Sequence, residues 1–575
     1  MDFKWIKSVA YMSYDHSIIM FNFGFNESIK ANSLPDNLSK LIFGYNFNQK
    51  IEPNSLPRKL STIEFSTKFN HKLDPKCLPK NLKSLKFGRE FEQKIEPNVL
   101  PENLNKLTFA DNRKIYPNSL PKNLSTLILE DNFNRKIKPN SLPKNLSALI
   151  LDGKFNRKIE PNSLPKFLKS LTFGRDFNRK IEPNSLPENL ENLIFNGNFN
   201  RKILKNSLPN KLSSLAFGYK FNKEIIPNSL PKKLSSLIFG HDFNQSIIPN
   251  SLPKELSTLK FGYKFNQEII PESLPLNLTS IIFESDFNKK IKPNSLPDNL
   301  TSIIFGSDFN QEIKPNSLPE NLTTIEFGEQ FNQKIEKNSF PEKLKNLNLG
   351  IDFDQEIEPN ILPKNIENLT MSFNFNQRIV SNSLPKNLVS LTFGYFFNQE
   401  IAPKTLPKNL SNLVFGGNFN QNFKSDALPD TIKSLAFGIN FNKKLSISNL
   451  PKNLISLTFG ANYSQKIDIE KLPENIMNLT FNFADYEEEK INDHFINFIN
   501  SIPTHCKVEI FTDNNIFNKR GLKWPIHVIA YDESLWPSKI YKIINEYKHP
   551  IYEEILVLID KKTYQPYSRA KSANK

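Results

Sequence analysis

The chain has 575 residues, with 40 prolines, 49 phenylalanines, 18 glycines, 3 tryptophans and 2 cysteines. So few cysteines exclude a disulfide framework, and so much proline in a chain that is 38% hydrophobic suits neither a disordered tail nor an ordinary globule unless the prolines fall at fixed places. The formal net charge is +16, and residues 485–575 carry thirteen acids and thirteen bases, so the whole excess lies in residues 1–484. The opening MDFKWIKSVAYMSYDH lacks the apolar run of a secretory signal, and the longest apolar stretches, such as Ile555 to Ile559, fall far short of a bilayer span. The chain therefore reads as intracellular and cytoplasmic, with no membrane attachment.

Residues 1–18 read as an N-terminal cap. From 19 to 484 one unit is written again and again. Leu-Pro recurs 21 times between Leu34 and Leu472, with Phe340 once in place of leucine. Every step is 22 residues except that from Leu100 to Leu120, which is 20. Self-similarity at a fixed period outweighs other fold signals. Counted from its leucine, the unit reads L-P-x-N-L-x-x-L-x-F-G-x-x-F-N-Q-x-I-x-P-N-S. The second position holds 21 prolines and the twentieth 14, and no proline within the array lies off this grid. In the copy Ser229 to Asn250, Leu237 and Phe239 stand two apart and share one face of a strand. Gly240 ends that strand and lets the chain turn, while Phe243 and Ile247 return to the interior. Pro231 and Pro249 fix φ and remove two donors, which rules out a long helix. One strand, two turns and an extended or 3₁₀ back side fit the space. Such a unit buries its apolar edge only by stacking on its neighbours. The expected fold is a β-rich solenoid of about 20 coils with a parallel sheet on one face. Two phenylalanine spines would run inside it, and an asparagine column from Asn48 to Asn442 would satisfy backbone groups in its own coil and the next.

Phe-Asn-x-x-Ile-x-Pro, as in Phe243, Asn244, Ile247 and Pro249, resembles the signature of the FNIP repeat, and the likeness runs from about Phe21 to Phe483. The Leu-Pro-x-x-Leu-x-x-Leu phrase is similar to that of leucine-rich repeats. The resemblance implies an LRR-like right-handed solenoid, a role in protein binding, and a source among social amoebae or giant viruses of amoebae. Some relatives carry an F-box ahead of the repeats, which would make an adaptor for a ubiquitin ligase. Here only about 18 residues precede the first half-unit, too few for that domain.

No repeat position is built of His, Cys, Asp or Glu, and the Ser and Thr positions beside the strands have no His or acid at a constant offset. Phosphate loops are absent. No catalytic residue, cofactor or metal is expected, and the chain reads as a non-enzyme. Framework positions are nearly fixed while outward ones vary. The ninth position includes Ile238, Lys260, Glu326, Thr370 and Val414, and the twelfth supplies Tyr219, His241, Tyr263 and Tyr395 as candidate strand-face contacts. Five successive units place a basic pair at the same two positions: Arg113-Lys114, Arg135-Lys136, Arg157-Lys158, Arg179-Lys180 and Arg201-Lys202. Stacked, these would form a basic ridge suited to a polyanion or an acidic protein. Interleaved aromatics for base stacking are missing, which disfavours nucleic acid. The two-residue deletion in the unit from Leu100 to Ser119 is the expected place for a kink or a binding notch.

The grammar changes after residue 484. Residues 485–562 read as a small α/β cap or docking module: a helix from Glu487 to Ile502, strands at Lys507–Phe511, Ile526–Tyr531 and Ile555–Ile559, and a helix from Leu535 to Tyr547. Residues 563–575 read as a flexible tail. The histidines His494, His505, His527 and His549 with Cys506 match no standard zinc spacing. Two functions follow from different classes. One is a protein-interaction scaffold that binds unidentified protein partners through the solenoid face. The alternative is an adaptor that docks on a larger complex through residues 485–562, or a binder of polyanions through the ridge.

Overall fold

The computed structural model describes residues 4–130, 132–445, 449–465, 472–483, 507–512 and 527–530. A short strand recurs once per unit, from β3 (Lys40–Ile42) to β23 (Asn478–Phe483). Each pairs in parallel with the next at a shift of one repeat, so Leu215 lies opposite Leu237, and Leu237 opposite Leu259. Alternation along the strand buries Leu237 and Phe239 and turns Ser236 and Ile238 outward. The array is a parallel β-solenoid, as the period implies. Across the short unit, Leu107 pairs with Leu127 and Phe109 with Leu129, so the two-residue deletion leaves the register intact.

Three β-turns, one more than expected, bring the chain back to the next strand. Phe243 N–H donates to the Gly240 carbonyl at 3.2 Å, Ser251 N–H to Ile248 at 3.1 Å, and Leu256 N–H to Pro253 at 3.1 Å. The Leu-Pro phrase itself thus forms the third turn. In the middle turn Pro249 precedes Asn250, whose φ is 64°. This is the pattern of a type II turn, where proline presets the first central φ and the second is left-handed. Asparagine tolerates that region better than most residues with a Cβ. Asn54, Asn98, Asn162 and their equivalents adopt it in turn. The Ser251 hydroxyl closes the turn on the Ile248 carbonyl at 2.7 Å.

The glycine after the strand has a different reason from the one its sequence position suggests. Gly240 and Gly262 have no left-handed φ. A Cβ on Gly262 would stand 1.7 Å from the carbonyl oxygen of Gly240, and one on Gly240 would stand 1.8 Å from that of Gly218. Glycine is required here by how closely successive coils approach.

Both phenylalanine spines form. Within a coil Phe239 stacks on Phe243 at 3.7 Å, and between coils Phe239 meets Phe261 at 5.8 Å and Phe243 meets Phe265 at 6.1 Å. The first spine passes through Leu129 and Leu151 between Phe109 and Phe173, all fully buried. Each buried ring contributes up to about 3 kcal/mol, which makes the spines the main stabilising term. Neighbouring strands lie about 4.8 Å apart, less than the spacing of the second spine. The coils therefore splay towards the rings, and the sheet lies on the inner side of the bend.

The asparagine column acts as a ladder. The Oδ1 of Asn222 accepts the N–H of Asn244 at 3.0 Å, and that of Asn244 accepts Asn266 at 3.0 Å. The same bond recurs in two runs, from Asn26 to Glu92 and from Asn112 to Ser464. It supplies a partner for a turn N–H that the sheet cannot reach.

At the N-terminal end, helix α1 (Lys4–Val9) leads into β1 (Ala10–Met12), which runs antiparallel to β2 (Ile18–Phe21). Ile6 is fully buried there, so this segment closes the core. At the other end β24 (Lys507–Thr512) and β25 (His527–Ala530) continue the parallel sheet. Leu479 lies opposite Val508, twenty-nine residues on, so the step from β23 to β24 is longer than the 22-residue repeat. The helices expected at Glu487–Ile502 and Leu535–Tyr547, the strand at Ile555–Ile559 and the tail lie outside the described residues. Among the described residues, no helix is long and apolar enough to cross a membrane.

Candidate interaction surfaces

The basic ridge has four rungs rather than five. The sixteenth position of each unit follows the second phenylalanine and the ladder asparagine, so its side chain lies along the turn edge of the stack. Arg135 Nε donates to the Asn112 carbonyl at 2.9 Å, Arg157 to Asn134 at 3.0 Å, Arg179 to Asn156 at 3.1 Å and Arg201 to Asn178 at 3.1 Å. All four residues are exposed, as are Lys136, Lys158, Lys180 and Lys202 beside them. Lys136 pairs with Glu160 and Lys180 with Glu182, each at 3.3 Å. A shallow groove runs along these coils, lined by the four Arg-Lys pairs and two glutamates.

Arg113 departs from the row. Its unit lacks two residues, and Asp111 occupies the place of the second phenylalanine, directly before the ladder residue Asn112. Arg113 turns inward to fill the gap. Its guanidinium lies 4.0 Å from the Phe109 ring and 4.6 Å from Phe91, and its Nε bonds Asp111 Oδ1 at 2.8 Å. Further N–H groups donate to the carbonyls of Phe91 and Gln93. The two charged side chains are only 8% and 5% exposed. Burial pushes the Asp111 carboxyl above its ordinary range although Arg113 pulls the other way, and burial likewise lowers Arg113. The expected notch is thus a filled interior defect. Lys114 stays outside, with its ammonium 4.7 Å from the Tyr116 ring.

Tyr219, His241, Tyr263 and Tyr395 lie on the turn that follows the strand, not on the sheet face. There they stack from coil to coil. Tyr219 meets His241 at 4.2 Å and His241 meets Tyr263 at 5.1 Å, with both tyrosines half exposed. Asp242, in the next position, accepts from Lys220 at 3.2 Å, Lys264 at 2.9 Å and His241 Nδ1 at 2.9 Å. Burial opposes its ionisation, but the bonds from Lys264, His241 and Lys220 hold the carboxyl down at about 2. Tyr395 stacks instead on Phe373 at 5.1 Å, with Phe396 edge-on, and an equivalent pair, Phe23 and Tyr45, stands at 4.8 Å. Phe23, Phe373 and the lysine–aspartate bracket were missed in the sequence. The twelfth position was read for its variety and not for aromatics that meet one repeat apart.

On the sheet face, Ile194, Ile238 and Val414 are each more than a third exposed, scattered among Ser, Thr and charged residues. Among the described residues, no three His, Cys, Asp or Glu side chains gather as a metal site would require.

A single parallel sheet, one strand per coil and a stacked apolar interior define an LRR-like repeat solenoid, an architecture generally used for protein–protein interaction. The FNIP repeat model matches the chain in eleven segments from residues 25–68 to 441–483, and the chain belongs to the FNIP-repeat family. Among solved structures it is similar to CroV588, a circular LRR protein of a giant virus, at 36% identity over 89% of this chain and 85% of that one, with a TM-score of 0.67. It is more distantly similar to a chain of the Toll–Spätzle complex of Drosophila, at 13% identity over 86% of this chain and 88% of that one and a TM-score of 0.43. An internalin of Listeria monocytogenes shares 14% identity over 77% of this chain and 90% of that one, with a TM-score of 0.19. No curated protein matches it.

Proposed function

We propose that the chain is a non-enzymatic, intracellular scaffold that holds partner proteins along the exposed surface of its solenoid. The observation that carries this reading is a contrast within one chain. Buried positions repeat almost unchanged over the array, whereas exposed positions differ from coil to coil and gather the half-exposed rings of Tyr219 and Tyr263 around His241. Aromatic side chains on a rigid surface are favoured anchors in protein interfaces. The test compares affinity capture from the native cell by the full chain with capture by a Tyr219→Ser/His241→Ser/Tyr263→Ser variant. A defined set of proteins, saturable and lost or depleted with the variant, is the expected result. Recovery no different from bare resin for the unaltered chain would refute the scaffold.

A further inference from the structure

The arginine row exceeds what the fold needs from its position. In most other coils the sixteenth position is glutamine, and glutamine reaches the preceding coil without charge: Gln245 Nε2 donates to Asn222 Oδ1 at 2.9 Å, and Gln267 to Asn244 Oδ1 at 2.8 Å. Arg135, Arg157, Arg179 and Arg201 also reach the preceding coil, through Nε to the backbone carbonyl of its ladder asparagine. That bond fixes the guanidinium plane and leaves the two terminal nitrogens of each fork to face a ligand. Ordering that a partner would otherwise have to impose is already done.

The charge is only partly balanced. Eight bases line the groove against two glutamates, and those two are already engaged by Lys136 and Lys180. Lys158 and Lys202 have no acid within ion-pair distance among the described residues. The row also ends sharply: the next unit places Lys223-Glu224 at these two positions.

The pitch selects the partner. Beneath the row the second spine advances 5.9 Å from Phe133 to Phe155, 6.0 Å to Phe177 and 6.1 Å to Phe199. Same-face side chains of an extended polypeptide repeat at roughly 6.6–6.8 Å, twice the rise per residue. Over three steps the mismatch is about 2 Å, within the reach of Arg, Lys and Glu side chains. Nucleic acid would match the charge, but no exposed rings lie between the rungs for bases to stack on.

We infer that the Arg135–Arg201 row is a docking track for an extended acidic segment of a partner protein, about seven residues long with Glu or Asp at every second place. This rests on the scaffold reading and names the partner chemistry of one of its edges. The test uses the full chain and its Arg135→Gln/Arg157→Gln/Arg179→Gln/Arg201→Gln variant, which carries the residue that other coils already use. An unchanged thermal transition confirms that the variant is folded. Fluorescence anisotropy is then read with a labelled (Glu-Ser)₄ peptide, its (Gln-Ser)₄ counterpart and oligo-dT of equal charge. The expected result is binding of (Glu-Ser)₄ alone, at least tenfold weaker in the variant and weakened as salt rises from 50 to 200 mM. No binding of (Glu-Ser)₄, equal binding by the variant, or tighter binding of oligo-dT would overturn the track. If the peptide fails while chain and variant capture the same proteins from the cell, the scaffold stands and the track alone falls.

Discussion

Replacing Arg113 by alanine removes one half of a buried ion pair and leaves the other half in place. Asp111, 5% exposed, would lose its 2.8 Å partner, and the carbonyls of Phe91 and Gln93 would lose donors. The rings of Phe109 and Phe91 would face a cavity where a cation now sits. Breaking a buried pair on one side costs about 3–5 kcal/mol, because the remaining charge is uncompensated. In a stack where each coil touches only its neighbours, that loss falls on the interfaces of the short unit rather than on the whole array. Urea unfolding should therefore split into two transitions, and amide exchange should accelerate around residues 104–130 before it does elsewhere. Asp111 is already raised above the ordinary carboxyl value, so its ionised form costs stability that is relieved as pH falls through its folded pKa. The alanine variant raises it further, so its deficit should be smaller at pH 5 than at pH 8. The Asp111→Leu/Arg113→Met double variant removes both charges and should recover most of the loss. A deficit under about 1 kcal/mol for Arg113→Ala, or uniform exchange across the array, would refute the account of the pair as an interior plug.

Gly240→Ala would drive a Cβ into the Gly218 carbonyl 1.8 Å away, so it should lower the melting temperature markedly although alanine suits the local φ, and circular dichroism on heating checks this. Asn250 holds φ 64°; Asn250→Gly should be neutral or slightly stabilising and Asn250→Val should cost about 1–2 kcal/mol in urea unfolding. Cys77 is buried, and burial pushes its thiol up to about 11. In a Cys506→Ser background it should resist a maleimide at pH 8 in the native chain and react at once in urea.

Much of this architecture is legible in the sequence because one unit is repeated so often that each buried position declares itself. Leu237, Phe239, Phe243 and Asn244 keep their residue type in most coils, and the structure uses them as their chemistry suggests. What the sequence hides is what depends on the neighbouring coil. Gly240 looks like a turn residue, and only the stacked carbonyl of Gly218 reveals that the space itself is missing. Tyr219 and His241 vary from unit to unit as the strand-face positions do, and only the structure places them on the turn beyond the strand end. Arg113 shares its position with Arg135, yet the deletion removes the phenylalanine outside which it would have lain, and the vacancy draws it inward. A pattern of residue types records which positions are inside an ideal coil. It does not record how an irregular coil fills its own gap.

The reversed direction of β1 has a consequence for assembly. A sheet built from identical parallel rungs is an open template, and a second molecule could in principle lay its last rung against the first of another and so on into a fibre. Ala10–Met12 runs the opposite way to every later rung among the described residues, and it presents only three residues to a newcomer. A parallel rung from another molecule would meet the wrong hydrogen-bond spacing there. The hairpin thus disfavours a parallel rung at this edge as well as covering the core there.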